Sequence, residues 1–202
     1  MDADPDTFNG FFTRYNTLTG DKGTPGYQCI SCGTAGTNTN TSILFVDWGD
    51  RRVTGIYPKN TTAGLKTQDL GEGDVYDKDG HAYRAVQTLY SMKCGLAVHN
   101  VRSVVRACNI DVTKLGSMTD SAQKALIDKF IFAKNRLWMP KSPVAYVSED
   151  LYSFLETYLT NKNNVHVTRE DIMGEPPKLR FAGIVVKKMD CMVNTEAAVT
   201  ED

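Results

Sequence analysis

The chain has 202 residues, 41% of them hydrophobic, which allows one large domain or two small ones around a real core. Lys and Arg total 23 against 24 Asp and Glu, so the net charge of -1 lacks the basic excess of a protein whose main task is phosphate binding. No apolar run reaches the roughly eighteen residues of a membrane span, and the acidic opening Met1-Asp2-Ala3-Asp4-Pro5-Asp6 lacks the pattern of a secretion signal, so an intracellular protein is expected.

In chain order, residues 1–41 are punctuated by Gly, Thr, Asn and Pro, and Thr34 to Ser42 reads as a loop. Ile43-Leu44-Phe45-Val46-Asp47-Trp48 reads as a buried strand. Gly49-Asp50-Arg51-Arg52 turns it, and Val53-Thr54-Gly55-Ile56-Tyr57 is expected to return as the second strand of a hairpin. Pro58 ends the pairing because it has no N–H for the ladder. Residues 59–73 are polar and Gly-rich. Val75-Tyr76-Asp77 and His81 to Val86 flank Lys78-Asp79-Gly80, whose Asp-Gly step predicts a second hairpin. Its outgoing strand is expected to run as far as Val98.

Val101, Val104, Val105 and Cys108 then recur at helical spacing, with Asn100 as a cap, and predict a helix over Asn100–Ala107. The clearest helix covers 119–137, capped by Thr119 or Asp120 with Gln123 three residues after Asp120. Its apolar stripe is Ala122, Leu126, Phe130, Ala133 and Leu137, and Pro140 and Pro143 stop it. Val144–Val147 reads as a short strand. Ser148 caps the next helix, whose core face is Leu151, Phe154, Leu155, Tyr158 and Leu159. Val165-His166-Val167 reads as a strand, Gly174-Glu175-Pro176-Pro177 as a loop, and Leu179–Met189 as one final strand. Ala197 to Asp202 reads as a frayed tail. Strands and hairpins mixed with helices in this order predict an α+β fold.

Searching for chemistry yields little. The five cysteines, Cys29, Cys32, Cys94, Cys108 and Cys191, are odd in number, which suggests reduced thiols. Cys29-Ile30-Ser31-Cys32 could be half a zinc site or a redox motif. It has no second CxxC, and its flanks are turn-forming, so coincidence in a loop or strand edge is favoured. Replacing either cysteine by Ser is then expected to cost about 1 kcal/mol or less. Gly71-Glu72-Gly73 lacks a third glycine and is followed by Asp74, which would repel phosphate. Asp74, Asp77 and Asp79 fail the calcium-loop pattern because its closing acid position falls on Thr88. Cys94 and His99, on the long strand expected here, would point to opposite faces. His81, His99 and His166 have no paired acid or base beside them in sequence, and each reads as a surface or hydrogen-bonded residue. Arg102 and Arg106 fall on one face of the expected helix, either facing solvent or pairing across an interface, with solvent favoured. Asn40-Thr41-Ser42 and Asn60-Thr61-Thr62 fit the glycosylation pattern by chance.

Several stretches in order carry a resemblance. They are Phe8-Asn9-Gly10-Phe11-Phe12-Thr13-Arg14-Tyr15-Asn16, Thr41–Gly49 followed by Gly55-Ile56-Tyr57-Pro58 and Gly64-Leu65, and the Asp69-Leu70-Gly71 turn. Cys94–Asp111 and Phe181–Val199, including Asn194-Thr195-Glu196-Ala197, complete the set. Together they resemble tailed-phage major capsid proteins with the HK97-like fold, over nearly the whole chain. Such subunits usually carry an N-terminal arm, an extended loop and a spine helix before this region. Their absence here suggests a truncated or cleaved form.

The resemblance implies an HK97-like α+β subunit with three approximate regions: 1–98 strand- and hairpin-rich, 99–178 helix-rich, and 179–202 a returning strand and tail. It implies a structural subunit of an icosahedral tailed-phage or prophage shell, assembling into pentamers and hexamers around packaged DNA. The virion shell would be its place, after synthesis in the host cytoplasm. Expected partners are further copies of the chain, with scaffolding, decoration and portal proteins, and neither a membrane nor sequence-specific nucleic acid. No enzyme activity, catalytic residue, cofactor or metal is expected. The alternatives are a thiol- or zinc-dependent enzyme using Cys29 and Cys32, and a non-viral protein-binding module.

Overall fold

A computed structural model describes residues 9–33, 35–60, 64–160, 167–170 and 178–201. In chain order its strands are β1 (Cys29–Ser31), β2 (Asn40–Asp47), β3 (Val53–Ile56), β4 (Leu65–Tyr76), β5 (Ala82–Met92), β6 (Gly95–Val98), β7 (Val104–Asp111), β8 (Pro143–Val147), β9 (Val167–Glu170), β10 (Lys178–Phe181) and β11 (Ile184–Lys188). The helices are α1 (Phe11–Arg14), α2 (Val112–Leu115), α3 (Asp120–Arg136) and α4 (Glu149–Leu159), with 3-10 turns at Gly26–Gln28 and Val101–Ser103. The chain divides into two compact units, Met1–Thr54 with Val98–Asp202, and Gly55–Ala97. The strand expected at Val165-His166, the loop at Gly174–Pro177 and the Thr61-Thr62 pattern lie outside the described residues.

The first unit is α+β, built on a seven-stranded mixed sheet ordered β1-β7-β2-β8-β11-β10-β9. β1 runs parallel to β7 and β11 parallel to β8, while the other neighbours are antiparallel. All eight residues of β2 and all eight of β7 are buried, so both strands are covered on both faces. One face is closed by α3 and α4. Ile43 and Phe45 of β2, Val105 and Ala107 of β7, and Val147 of β8 pack there with Leu126, Ile127, Phe130, Leu151 and Leu155 of the helices. Phe130 meets Phe181 edge-on, with ring centroids 6.1 Å apart.

Both long helices form where expected, because their stripes recur every three or four residues and one face must be apolar, but Ala122 of the expected stripe is exposed, Leu159 is half-buried, and neither Thr119 nor Ser148 caps through its side chain. The stripe of α3 is buried at Leu126, Ile127, Phe130 and Ala133. That of α4 is buried at Leu151, Phe154, Leu155 and Tyr158.

Several expectations are corrected. The helix expected over Asn100–Ala107 is a single 3-10 turn followed by strand β7. Valines at helical spacing also fit a strand buried on both faces, where no alternation is required. The hairpin expected between the 43–48 and 53–57 strands does not form. β2 is flanked by β7 and β8 and has no edge to offer, and β3 pairs with β6 instead. The single strand expected over Leu179–Met189 is the hairpin β10–β11, turned at Ala182 (φ 45°) and Gly183 (φ 86°). Positive φ at both positions is the two-residue hairpin turn, and Ala-Gly is a weak sequence signal for it. Finally, the tail expected to fray is anchored, with Val199 buried.

The second unit is a two-stranded antiparallel hairpin. β4 and β5 are in register from Leu65 opposite Met92 to Tyr76 opposite Ala82. The turn expected at Lys78-Asp79-Gly80 forms, with Gly80 at φ 82° and its N–H donating to the Asp77 carbonyl at 2.9 Å. β4 covers residues that read as a polar, Gly-rich stretch. Its residues are almost all exposed, so burial imposed no apolar alternation that could have announced a strand. The outgoing strand expected to reach Val98 ends at Met92, and β6 begins at Gly95.

Candidate functional sites: a buried ionic anchor and an exposed hairpin

β7 carries a bulge that sets up the polar chemistry of the first unit. Ile43 of β2 pairs with Ala107 and Thr41 with Ile110, so Cys108 and Asn109 together oppose Ser42. Asn109 takes φ 61°, a value that asparagine tolerates better than most residues. The extra residue returns Ile110 to the helix-packed core. Arg106 belongs to the alternate set and leaves toward the opposite face.

There Arg106, only 3% exposed, is held on every side. Its Nε donates to Ser42 Oγ at 3.1 Å, one terminal nitrogen to the Tyr15 carbonyl at 2.7 Å, and the other to Glu196 Oε2 at 2.9 Å. The guanidinium lies 4.7 Å from the centroid of the Phe12 ring. Ser42 also donates to Glu196 Oε2. Asn109 extends the anchor, since its Nδ2 donates to the Val199 carbonyl at 2.8 Å and its Oδ1 accepts from the Val199 N–H at 2.9 Å. Asn40 Nδ2 donates to the Glu196 carbonyl at 3.1 Å, and Leu18 N–H reaches the Thr200 carbonyl at 3.3 Å. Segments at both ends of the described chain are thereby stitched to the inner strands β7 and β2. Arg106 in solvent on a helix, the favoured sequence reading, is corrected: it lies on a strand, paired and buried. An arginine within an apolar run was the available signal. Glu196, some 90 residues away, could not be matched to it without the sheet.

A second buried carboxylate, Asp47, accepts from the Lys141 and Ser142 N–H groups at 3.1 and 2.8 Å and pairs with Arg52. Asp111 caps α2. It accepts from Thr113 N–H and Oγ1 at 3.1 and 2.7 Å and meets Lys114 Nζ at 3.0 Å. Those donors hold its carboxyl down at about 2, below the usual carboxylate range.

The cysteines are placed by the same alternation. β1 is an edge strand of the sheet, with Cys29 opposite Arg106 and Ile30 opposite Ala107. Ile30 joins the helix-packed core, and Cys29, its neighbour on the strand, takes the other face. Cys32 packs against the helix-side core, so the two CxxC thiols lie on opposite sides of the sheet. Burial pushes the Cys29 thiol up to about 11 and Cys108 up to about 12, and raises Cys32 further. The thiolate, which is the nucleophile and the metal ligand, is disfavoured at all three. Cys94 and Cys191 are exposed.

Among the described residues no three metal-ligating side chains converge. His81 sits exposed beside the hairpin turn, and the His99 ring lies 3.2 Å from Thr54 Oγ1. Asp77 Oδ1 accepts from the Lys78 N–H at 2.7 Å, as a turn aspartate does. Gly71 is the bulge glycine of β4, at φ 73°, with its N–H bonded to Asp69 Oδ1 at 2.8 Å. A groove of about 370 Å³ between α2 and α4 is lined by Val112, Leu115, Phe154 and Tyr158, with Asp150 the one carboxylate on its wall. That lining gathers no acid–base pair, nucleophile or cation cluster. Among the described residues no helix is long and apolar enough to cross a membrane.

The first unit holds the buried core, and more than half of the large exposed apolar side chains among the described residues lie on the hairpin of the second. Leu65, Tyr76, Val86, Tyr90 and Met92 all stand more than half exposed along the hairpin.

A family model described as Major capsid protein GP7 matches residues 1–200. No curated protein sequence matches the chain.

Proposed function

Because the chain belongs to the major capsid protein GP7 family, which makes it a structural subunit of a phage capsid, we propose that copies of it close into an icosahedral shell around DNA. The shell would have HK97-like architecture, with the subunits gathered in pentamers and hexamers. The observation that carries this reading is the family match over residues 1–200. The structure supports it in two ways. Strands β2 and β7, covered on both faces and pinned by Arg106, resist deformation, as a wall element under load must. The exposed apolar hairpin offers area for repeated contacts between copies. A net charge of -1 limits repulsion when many copies crowd together. Scaffolding, decoration and portal proteins are the further partners such a shell would meet, and the host cytoplasm is where its subunits would be made.

Mass spectrometry of purified particles, joined to electron microscopy of the same fraction, tests the reading. Peptides of this chain as the dominant component of closed shells support it. Shells in which those peptides are rare or absent overturn it.

A further inference from the structure

We propose that the β4–β5 hairpin of one copy docks on the C-terminal end of α3 of another copy, as a head-to-tail contact between unlike surfaces. The proposal rests on the shell-subunit reading and gives that reading a specific interface. More than half of the large apolar side chains exposed among the described residues stand on β4 and β5. Direct cross-strand partners share a face, so Leu65 and Met92, Thr67 and Tyr90, and Tyr76 and Ala82 line one side of the ribbon. The bulge at Leu70 restores this phase, which puts Val86, opposite Glu72, on the same side at 73% exposure. The distal half of the hairpin is acidic, with Asp69, Glu72, Asp74, Asp77 and Asp79 against Lys78 and Arg84.

A stretch of complementary character lies on the first unit. Between the exposed Asp128 and Glu149, residues 129–148 contain Lys129, Lys134, Arg136 and Lys141 and no acid. The same stretch exposes Phe132 at 69%, Trp138 at 53% and Met139 at 71%. Lys134 and Arg136 are tied to the Ala182 and Tyr27 carbonyls. Lys129 and Lys141 are exposed. An apolar acidic ribbon and an apolar basic knob on the same chain are matched in charge and in character. This selects a second copy as the occupant. Contacts between unlike patches propagate around a ring when the rotation closes.

The size of the contact sets its strength. Twelve residues of strand span about 40 Å and two strands are about 10 Å across, so one face offers roughly 400 Å² per partner. The roughly 800 Å² total lies below the range of stable interfaces, so each contact is weak and reversible alone and gains strength by repetition.

The test is sedimentation velocity of the chain and three charge variants, up to about 1 mM, where weak pairing becomes measurable. One variant reverses the hairpin (Glu72→Lys with Asp79→Lys), one the knob (Lys129→Glu with Lys141→Glu), and the third carries all four changes. Each one-sided reversal is expected to raise the association midpoint at least about 10-fold, and the fourfold variant to return within about 3-fold of the unmodified chain. That rescue separates loss of contact from loss of fold. Three results would each overturn the contact: one-sided reversals without effect, a fourfold variant no better than its halves, or a chain that stays monomeric throughout. Particle composition by mass spectrometry is independent of all three. Shells built of this chain but indifferent to the reversals would sink this interface and leave the shell reading standing.

Discussion

Replacing Arg106 by Met should destabilise the first unit by about 3–5 kcal/mol, the range for removing one partner of a buried ion pair. The structure shows where that cost arises. Arg106 is 3% exposed, and the Glu196 side chain it meets at 2.9 Å is 8% exposed. Without the guanidinium, the carboxylate keeps the Ser42 hydroxyl as a donor, and the Tyr15 carbonyl loses its donor at 2.7 Å. A buried acceptor left unpaired costs about 1–3 kcal/mol by itself, and contact with the Phe12 face adds about 0.5–2. Glu196→Leu should cost a similar amount, because it strands a buried cation. The double variant Arg106→Met with Glu196→Leu should return to within about 2 kcal/mol of the parent, since apolar side chains of similar volume often replace a buried pair at little cost. Urea unfolding at pH 7 measures all four corners of the cycle, and an unchanged m-value certifies that only stability moved. Limited proteolysis gives an independent readout, because loss of Arg106 should raise cleavage around Glu196 while Val199 stays tied to Asn109. A cost below about 1 kcal/mol for Arg106→Met, or a coupling energy near zero, would refute the anchor.

Native thiol labelling at pH 8 should modify Cys94 and Cys191 quickly and Cys29, Cys32 and Cys108 slowly, given the exposure of the first pair and the raised pKa of the others; rapid modification of Cys29 and Cys32 would reopen the thiol reading. Asp111 contributes stability that is fully present above about its unfolded pKa of 3.8 and is lost as pH falls toward its folded value of about 2. Asp111→Ala should therefore cost about 1 kcal/mol at pH 7 and converge with the parent near pH 2, and a pH-independent difference would count against that assignment. Gly26→Ala should cost about 2 kcal/mol or more, because the new Cβ would stand 2.0 Å from the Thr19 carbonyl oxygen. At Gly80 a Cβ meets nothing within 4 Å, and only the φ of 82° resists it, so Gly80→Ala should cost about 1 kcal/mol. Thermal unfolding that ranks Gly80→Ala above Gly26→Ala would contradict the close approach.

The long helices, the short strand before α4 and the Asp-Gly turn were legible in the chain itself. Their signals are local, resting on apolar spacing, capping residues and a dipeptide that accepts positive φ, and each operates within a few residues. The family resemblance was legible for a related reason, since ordered short motifs survive without knowledge of their contacts. Most of β4, from Leu65 to Asp74, was missed because an exposed ribbon has no buried face to write a pattern, and β7 was misread because a strand buried on both faces writes no alternation. Pairing partners were decided by which edges remained free once β2 lay between β7 and β8. The anchor depended on tertiary structure most of all. Arg106 and Glu196 lie far apart in sequence, and the bulge at Cys108 and Asn109 sets which face the end of β7 from Ile110 meets. Sequence alone determined the long helices, the Asp-Gly turn and the kinship, because those depend on neighbours along the chain. The sheet order, the seating of Cys29 and Cys32 on opposite faces and the buried ion pair were decided only by the fold, because each is a contact between residues whose proximity packing creates.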